Sequence, residues 1–113
     1  GLLGEINLIP IKLLRPQFQG TEQILLYPHE WYLTSPETGM RTDVVNSYFK
    51  GSHYLNEGRA PNGDKLFFNS VASQKQGTTV FLEVSQNVIE LRMHFIEKGR
   101  VATIPRSSSP LGI

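Results

Sequence analysis

The sequence predicts a mainly β fold: a small antiparallel β-barrel or β-sandwich with one short mid-chain helix near 42–50. Several segments alternate apolar and polar residues with the two-residue period of strands that are buried on one face. Glycine and proline, 10 and 7 of the 113 residues, recur at short intervals, which favours many short strands over long helices. We expect residues 1–105 to form a single domain and residues 106–113, rich in serine, to form a C-terminal tail.

The N-terminal half contains two predicted strands and a turn. Residues 6–14 read as a strand in which Pro10 favours an edge position or a bulge, because proline cannot donate a ladder hydrogen bond. Residues 23–33 read as a second strand, interrupted at Pro28. Residues 35–39, Ser-Pro-Glu-Thr-Gly, form a cluster of turn-forming residues.

The middle of the chain departs from the two-residue period. Val44, Val45, Tyr48 and Phe49 would share one face of a helix, with Thr42 or Asp43 as its N-terminal cap and Gly51 as its stop. This spacing predicts the short helix near 42–50.

The C-terminal half predicts strands throughout. Residues 62–64 form a turn before a strand over 66–72, and residues 79–105 read as a three-stranded meander. A two-residue turn at Gln86-Asn87 would pair Leu82 with Leu91 and place all apolar positions of the hairpin on one face, since a slip of one residue would reverse the faces. A second tight turn is expected at Lys98-Gly99.

Composition excludes several classes of protein. Eleven Lys and Arg against ten Asp and Glu give a net charge of +1, whereas proteins that mainly neutralise phosphates carry a marked basic excess. The absence of cysteine excludes disulfides, zinc–thiolate sites and thiol nucleophiles. No run approaches the roughly 20 apolar residues of a membrane span, and residues 1–5 lack the features of a signal peptide. The cellular compartment stays open.

Catalytic and metal-binding motifs are not evident. His29, His53 and His94 lack any ligand spacing, so we expect no metal and no cofactor. The predicted register places Glu83 opposite Glu90, which suits ordinary ion pairing with neighbouring cations more than acid–base chemistry. No Gly-x-Ser-x-Gly or glycine-rich phosphate motif is present. An enzyme, for example a small hydrolase, is the least favoured reading.

One stretch interleaves aromatic and basic side chains. Single-stranded nucleic-acid binders combine bases stacked on rings with cations along the backbone. Core packing more often explains such aromatic enrichment in a small β domain. The candidate nucleic-acid-binding residues are Tyr48, Lys50, His53, Tyr54, Arg59, Lys65 and Phe67.

The favoured function is a non-catalytic binding or assembly module whose partner is a second copy of the chain or another protein. Trp31 and Tyr32 could form an exposed aromatic anchor. Leu111 and Ile113 could dock the tail on an adjacent subunit and cover a sheet edge. The alternative function is single-stranded nucleic-acid binding through the aromatic and basic residues.

Overall fold

The computed structural model describes residues 5–100, with the side chains of residues 5–94. It confirms the mainly β class. The expected tail, with Leu111 and Ile113, lies outside the described residues. The elements in chain order are β1 Asn7–Pro10, α1 Ile11–Leu14, β2 Gln23–Leu26, a 3-10 turn Pro28–Glu30, β3 Tyr32–Leu33, β4 Met40–Phe49, β5 Tyr54–Arg59, β6 Lys65–Ser70, β7 Thr79–Glu83 and α2 Gln86–Arg100.

Two antiparallel sheets build the described part of the chain. The larger has five strands in the order β3-β7-β4-β5-β6 and curls into a half-barrel, and the smaller is the β1–β2 hairpin. The core lies on the concave face of the half-barrel, because alternate residues of each strand point inward. On β4, for example, Met40, Thr42 and Val44 are buried, whereas Arg41 and Asp43 are exposed.

The side chain of Asn7 joins the two sheets. Its Nδ2 donates to the carbonyl of Phe67 at 2.7 Å, and its Oδ1 accepts from the N–H of Phe67 at 2.7 Å. One amide therefore satisfies a backbone donor and a backbone acceptor on β6, the edge strand of the larger sheet. Asn7 is only 2% exposed. Burying an asparagine is tolerated here because its polar atoms are hydrogen-bonded.

The helix expected near 42–50 is wrong, because these residues form most of the ten-residue strand β4. The pairing of β4 with β5 shifts between Val44 and Asn46, with Val44 opposite Gly58 and Asn46 opposite Glu57. A β-bulge at this shift adds one residue to β4 and reverses the alternation of faces beyond it. Apolar residues on either side of the bulge thereby acquire a spacing that resembles one face of a helix.

The meander expected over 79–105 is also wrong within the described residues, because β7 is followed by the helix α2. Ser85 immediately precedes this helix as its N-cap, and its hydroxyl accepts a hydrogen bond from the N–H of Val88 at 3.2 Å. Ile89 is buried at 1% exposure, whereas Leu91 is 62% exposed. The expected Leu82–Leu91 pair therefore does not exist.

The remaining expectations hold in part. The strand over 6–14 ends at Pro10, after which one helical turn follows. The interruption at Pro28 is confirmed, since the 3-10 turn begins there. The turn over 62–64 is confirmed between β5 and β6, with Gly63 at a φ of 90°. This left-handed conformation suits glycine, which has no Cβ.

Candidate functional site

The outward face of the β1–β2 hairpin is apolar and exposed. Leu8 pairs with Leu25 across the two strands, and Ile6 and Tyr27 continue the same face at one end. Their exposed fractions are 44% for Ile6, 53% for Leu8, 52% for Leu25 and 38% for Tyr27. We call these four residues the hairpin face. The opposite face of the hairpin is buried in the core, through Ile9, Ile24 and Leu26.

The Tyr27 end of the hairpin face is held by α2. The Arg92 guanidinium lies 5.9 Å from the centroid of the Tyr27 ring. Arg92 Nη2 also donates to both carboxylate oxygens of Glu30, at 2.8 and 2.7 Å. Glu30 Oε1 accepts from the N–H of Tyr27 at 2.9 Å, and the His29 ring stacks on Tyr27. The Arg92–Glu30 pair is largely buried, so these two charges neutralise each other beside the hairpin face.

The expected aromatic anchor is corrected by the structure. Trp31 is 5% exposed and belongs to the core, whereas Tyr32 is 51% exposed on the short edge strand β3. An exposed pair of Trp31 and Tyr32 therefore does not form. Tyr32 remains accessible by itself.

The seven candidate nucleic-acid-binding residues do not form one surface. The strand register places Tyr48, Arg59, Lys65 and Phe67 on the convex face of the larger sheet and Tyr54 on its concave face. Lys50 and His53 flank the turn between β4 and β5. The backbone N–H of Lys50 donates to the carbonyl of His53 at 2.8 Å.

Arg59 and Lys65 lie at the far end of the sheet from this turn. Arg59 and Tyr54 are at opposite ends of β5, about 16 Å apart at the usual rise of a strand. Lys65 Nζ lies 3.8 Å from a carboxylate oxygen of Glu57. Arg59 Nη1 donates to the carbonyl of Gly63 at 3.1 Å. Both cations therefore have local partners and are separated from Lys50.

The histidines and carboxylates have separate local roles. His53 Nδ1 lies 2.9 Å from the hydroxyl of Ser52. The carboxylate of Glu83 pairs with Arg15 at 2.9 Å, and Glu90 accepts from Gln86 at 3.3 Å; the expected juxtaposition of Glu83 and Glu90 is thus wrong. Among the residues that the structure describes, no three His, Cys, Asp or Glu side chains are grouped in a way that could hold a metal ion.

One perturbed carboxyl group lies away from these surfaces. Two hydrogen bonds of the Glu37 carboxylate lower the pKa of Glu37. The larger effect comes from the Ser35 side chain and the smaller from the backbone of Glu37 itself. Glu37 is exposed in the turn between β3 and β4. The interaction is explained by local turn structure, since serine side chains hydrogen-bond readily to nearby turn residues.

An open cleft of about 450 Å³ lies between α1 and the first turns of α2. Arg15 is its charged lining residue, but the guanidinium is already engaged. It pairs with Glu83, and it donates to Gln86 Oε1 at 2.9 Å and to the Leu14 carbonyl at 2.7 Å. Its charge is therefore compensated within the chain. The other lining residues are Ile11, Gln17, Phe18, Gln86, Ile89 and Met93.

The hairpin face was missed by the sequence analysis, although a signal for it exists. Residues 6–9, Ile-Asn-Leu-Ile, and residues 24–27, Ile-Leu-Leu-Tyr, are apolar on both faces of their strands. A strand with one solvated face normally alternates apolar and polar residues. Apolar residues on the second face therefore mark a departure from this pattern, and the structure shows that this second face is exposed.

Comparison with known proteins adds no relative. No protein-family model matches the chain, and no curated protein or solved structure is significantly similar to it.

No helix among residues 5–100 is long and apolar enough to cross a membrane.

Proposed function

We propose that this protein is a non-catalytic assembly module that binds a second copy of itself through the hairpin face. The observation that carries the proposal is the exposure of four neighbouring apolar side chains, Ile6, Leu8, Leu25 and Tyr27, on one side of a two-stranded sheet. Together they expose on the order of 300 Å² of apolar surface, a patch size that is often functional in an otherwise soluble domain.

The chemistry of the hairpin face favours a second copy as the partner. None of its four side chains carries a charge, and the neighbouring Arg92–Glu30 pair is internally compensated. A face without a charge pattern does not require a partner of opposite charge, and it can pack on its own copy about a two-fold axis. A standard interface buries about 800 Å² per partner, so the hairpin face would form the apolar centre and its polar neighbours the rim.

Sedimentation velocity over a concentration series tests the proposal. We expect the wild-type chain to sediment as a dimer at high concentration. The double variant Leu8→Ser/Leu25→Ser should sediment as a monomer, because it places two hydroxyls at the centre of the apolar contact. Both side chains are about half exposed in the single chain, so the fold should persist, and circular dichroism checks that it does.

Val71→Ser is the matched control. Val71 is 93% exposed, and it lies just beyond β6, outside the hairpin face, so its loss should leave the sedimentation profile unchanged. A wild-type chain that stays monomeric at the highest concentration would refute the proposal. Equal dissociation by the control variant would show that the association depends on general surface hydrophobicity instead of this face.

A further inference from the structure

One end of the larger sheet combines cations with exposed rings, and the described segments that form it contain no carboxylate. This end consists of residues 48–54, around the β4–β5 turn, and residues 69–76, which include the last two residues of β6 and the loop after it; we call it the acid-free end. Residues 44–56 and 65–82 contain no Asp or Glu. Lys50, Lys75 and His53 lie within the acid-free end. The near-neutral charge of the whole chain therefore conceals a local excess of positive charge.

The structure brings the two segments of the acid-free end together. Tyr54 on β5 pairs with Ser70 on β6, and the N–H of Gln74 donates to the hydroxyl of Ser47 on β4 at 3.2 Å. The N–H of Gly77 donates to the carbonyl of Val44 at 2.9 Å, so the loop that carries Lys75 runs beside β4 between Val44 and Ser47. Lys50 follows the last residue of the same strand, and both lysines are exposed.

Phe49 supplies an accessible aromatic ring at this end. It is 64% exposed, and its centroid lies 5.1 Å from that of Tyr54 at an interplanar angle of 53°. The contact with Tyr54 supports the ring while leaving most of its surface in solvent. An exposed phenylalanine adjacent to a lysine has no evident role in the core.

We propose that the acid-free end binds single-stranded nucleic acid, with a base stacked on Phe49 and with Lys50 and Lys75 against the phosphates. Aromatic rings bind bases of any sequence because every base has a π-face, and cations placed beside them follow the backbone. The absence of carboxylates removes the repulsion that a polyanion would otherwise meet. The proposed site keeps Lys50, His53 and Tyr54 from the sequence-based candidates and adds Phe49 and Lys75. It omits the four candidates on the convex face, Tyr48, Arg59, Lys65 and Phe67.

An anionic membrane surface fits the same end less well. Each lysine near such a surface contributes only about 1 kcal/mol, and the most exposed apolar side chains at this end are Phe49 and Val71, on separate segments. Phe49 is followed in the sequence by Lys50, Ser52 and His53. A ring beside a lysine suits stacking on a base, whereas two isolated apolar side chains offer little area for insertion among acyl chains.

Fluorescence anisotropy with a short labelled oligothymidylate tests this site. With two lysines on phosphates, the slope of log K against log salt should be about −1.4. In Lys50→Ala the slope should become shallower, about −0.7, because one phosphate contact is lost. Phe49→Leu should weaken binding by about 5-fold or more, because leucine keeps the apolar bulk but has no π-face to stack on a base. Phe49→Trp should retain binding.

Two matched controls lie in the larger sheet but away from the acid-free end. Lys65→Ala removes an exposed lysine at the far end, and Tyr32→Leu removes an exposed ring on β3; neither should change the affinity or the salt slope. Absence of binding to oligothymidylate at low salt would overturn the proposal, as would equal losses in the controls. Binding to phosphatidylserine vesicles that survives Phe49→Leu, without binding to oligothymidylate, would instead identify a membrane surface and also overturn it.

Discussion

Removal of the Asn7 side chain should open the junction between the two sheets. Asn7→Ala deletes two 2.7 Å hydrogen bonds and leaves both the N–H and the carbonyl of Phe67 without their partner. An unsatisfied buried backbone group costs about 1–3 kcal/mol. Phe67 is only partly buried, so water can recover some of this loss. We expect Asn7→Ala to lower the free energy of unfolding by about 2–4 kcal/mol, a large fraction of the stability of an ordinary domain.

Asn7→Asp separates hydrogen bonding from packing at this junction. Aspartate has nearly the same shape and can still accept from the N–H of Phe67, but it places a carboxylate oxygen against the Phe67 carbonyl where asparagine has a donor. The variant should therefore destabilise the fold although almost no volume is lost.

Urea denaturation and hydrogen exchange measure these effects together. The urea midpoint should fall in both Asn7 variants, and the Phe67 amide proton should exchange faster than in the wild-type chain. Asn87→Ala is a suitable control, since Asn87 is exposed in the first turn of α2. A loss below about 0.5 kcal/mol in Asn7→Ala, the usual range for a surface substitution, together with unchanged exchange at Phe67, would refute the junction.

Two further substitutions test the packing of α2 and of the half-barrel by urea denaturation. Ile89→Ala should lower the free energy of unfolding by about 2–5 kcal/mol, because Ile89 is 1% exposed. Leu91→Ala should lower it by less than about 0.5 kcal/mol, because Leu91 is 62% exposed. The reverse order would favour a strand over 86–100. Gly58→Ala should cost about 1–3 kcal/mol, because a Cβ there would lie 2.6 Å from Thr42 Cγ2, and an unchanged midpoint would show that Thr42 can move away.

The fold class was predictable because it depends on turn-forming residues and on the alternation of apolar and polar residues within strands. The proline at position 28 and the Asn62-Gly63 turn interrupt the chain where the structure also does. Such positions act through the backbone of one or two residues, so their effect is visible without knowledge of the tertiary contacts.

The helix α2 was not predictable by periodicity alone. Residues 89, 91, 93 and 95 are apolar and alternate with polar residues, which is the pattern of a strand, while Val88, Ile89 and Met93 also fit one face of a helix. Short apolar segments are ambiguous between the two. The capping serine at position 85 was the available signal, since serine before a helix satisfies a free N–H of the first turn.

The error at β4 has a different cause, since a β-bulge is invisible to a pattern that assumes strict alternation. Val44 is buried and Asn46 lies opposite Glu57 on the convex face, so the intervening Val45 disturbs the count. A strand pattern that allows one inserted residue, here Val45, fits the sequence of β4.

The candidate surfaces were only partly predictable, because they depend on which segments become neighbours. Interleaving along the sequence suggested that Lys50 and Arg59 act together, but the antiparallel hairpin places them at opposite ends of β5. In the same way, Lys75 is distant from Lys50 in sequence, and the loop after β6 returns it to the same strand, beside Val44 and Ser47 of β4.

The two faces of the β1–β2 hairpin have different surroundings. An isolated two-stranded sheet is marginally stable in water, so this hairpin depends on its buried face and on the Asn7 junction. Its outward face contributes little to that attachment, since Leu8 and Leu25 are about half exposed in the single chain. Selection for folding alone would accept polar residues there, as on the solvated face of other antiparallel sheets. The described fold does not require four apolar side chains on that face, and burial against a second copy, as we propose, would account for them.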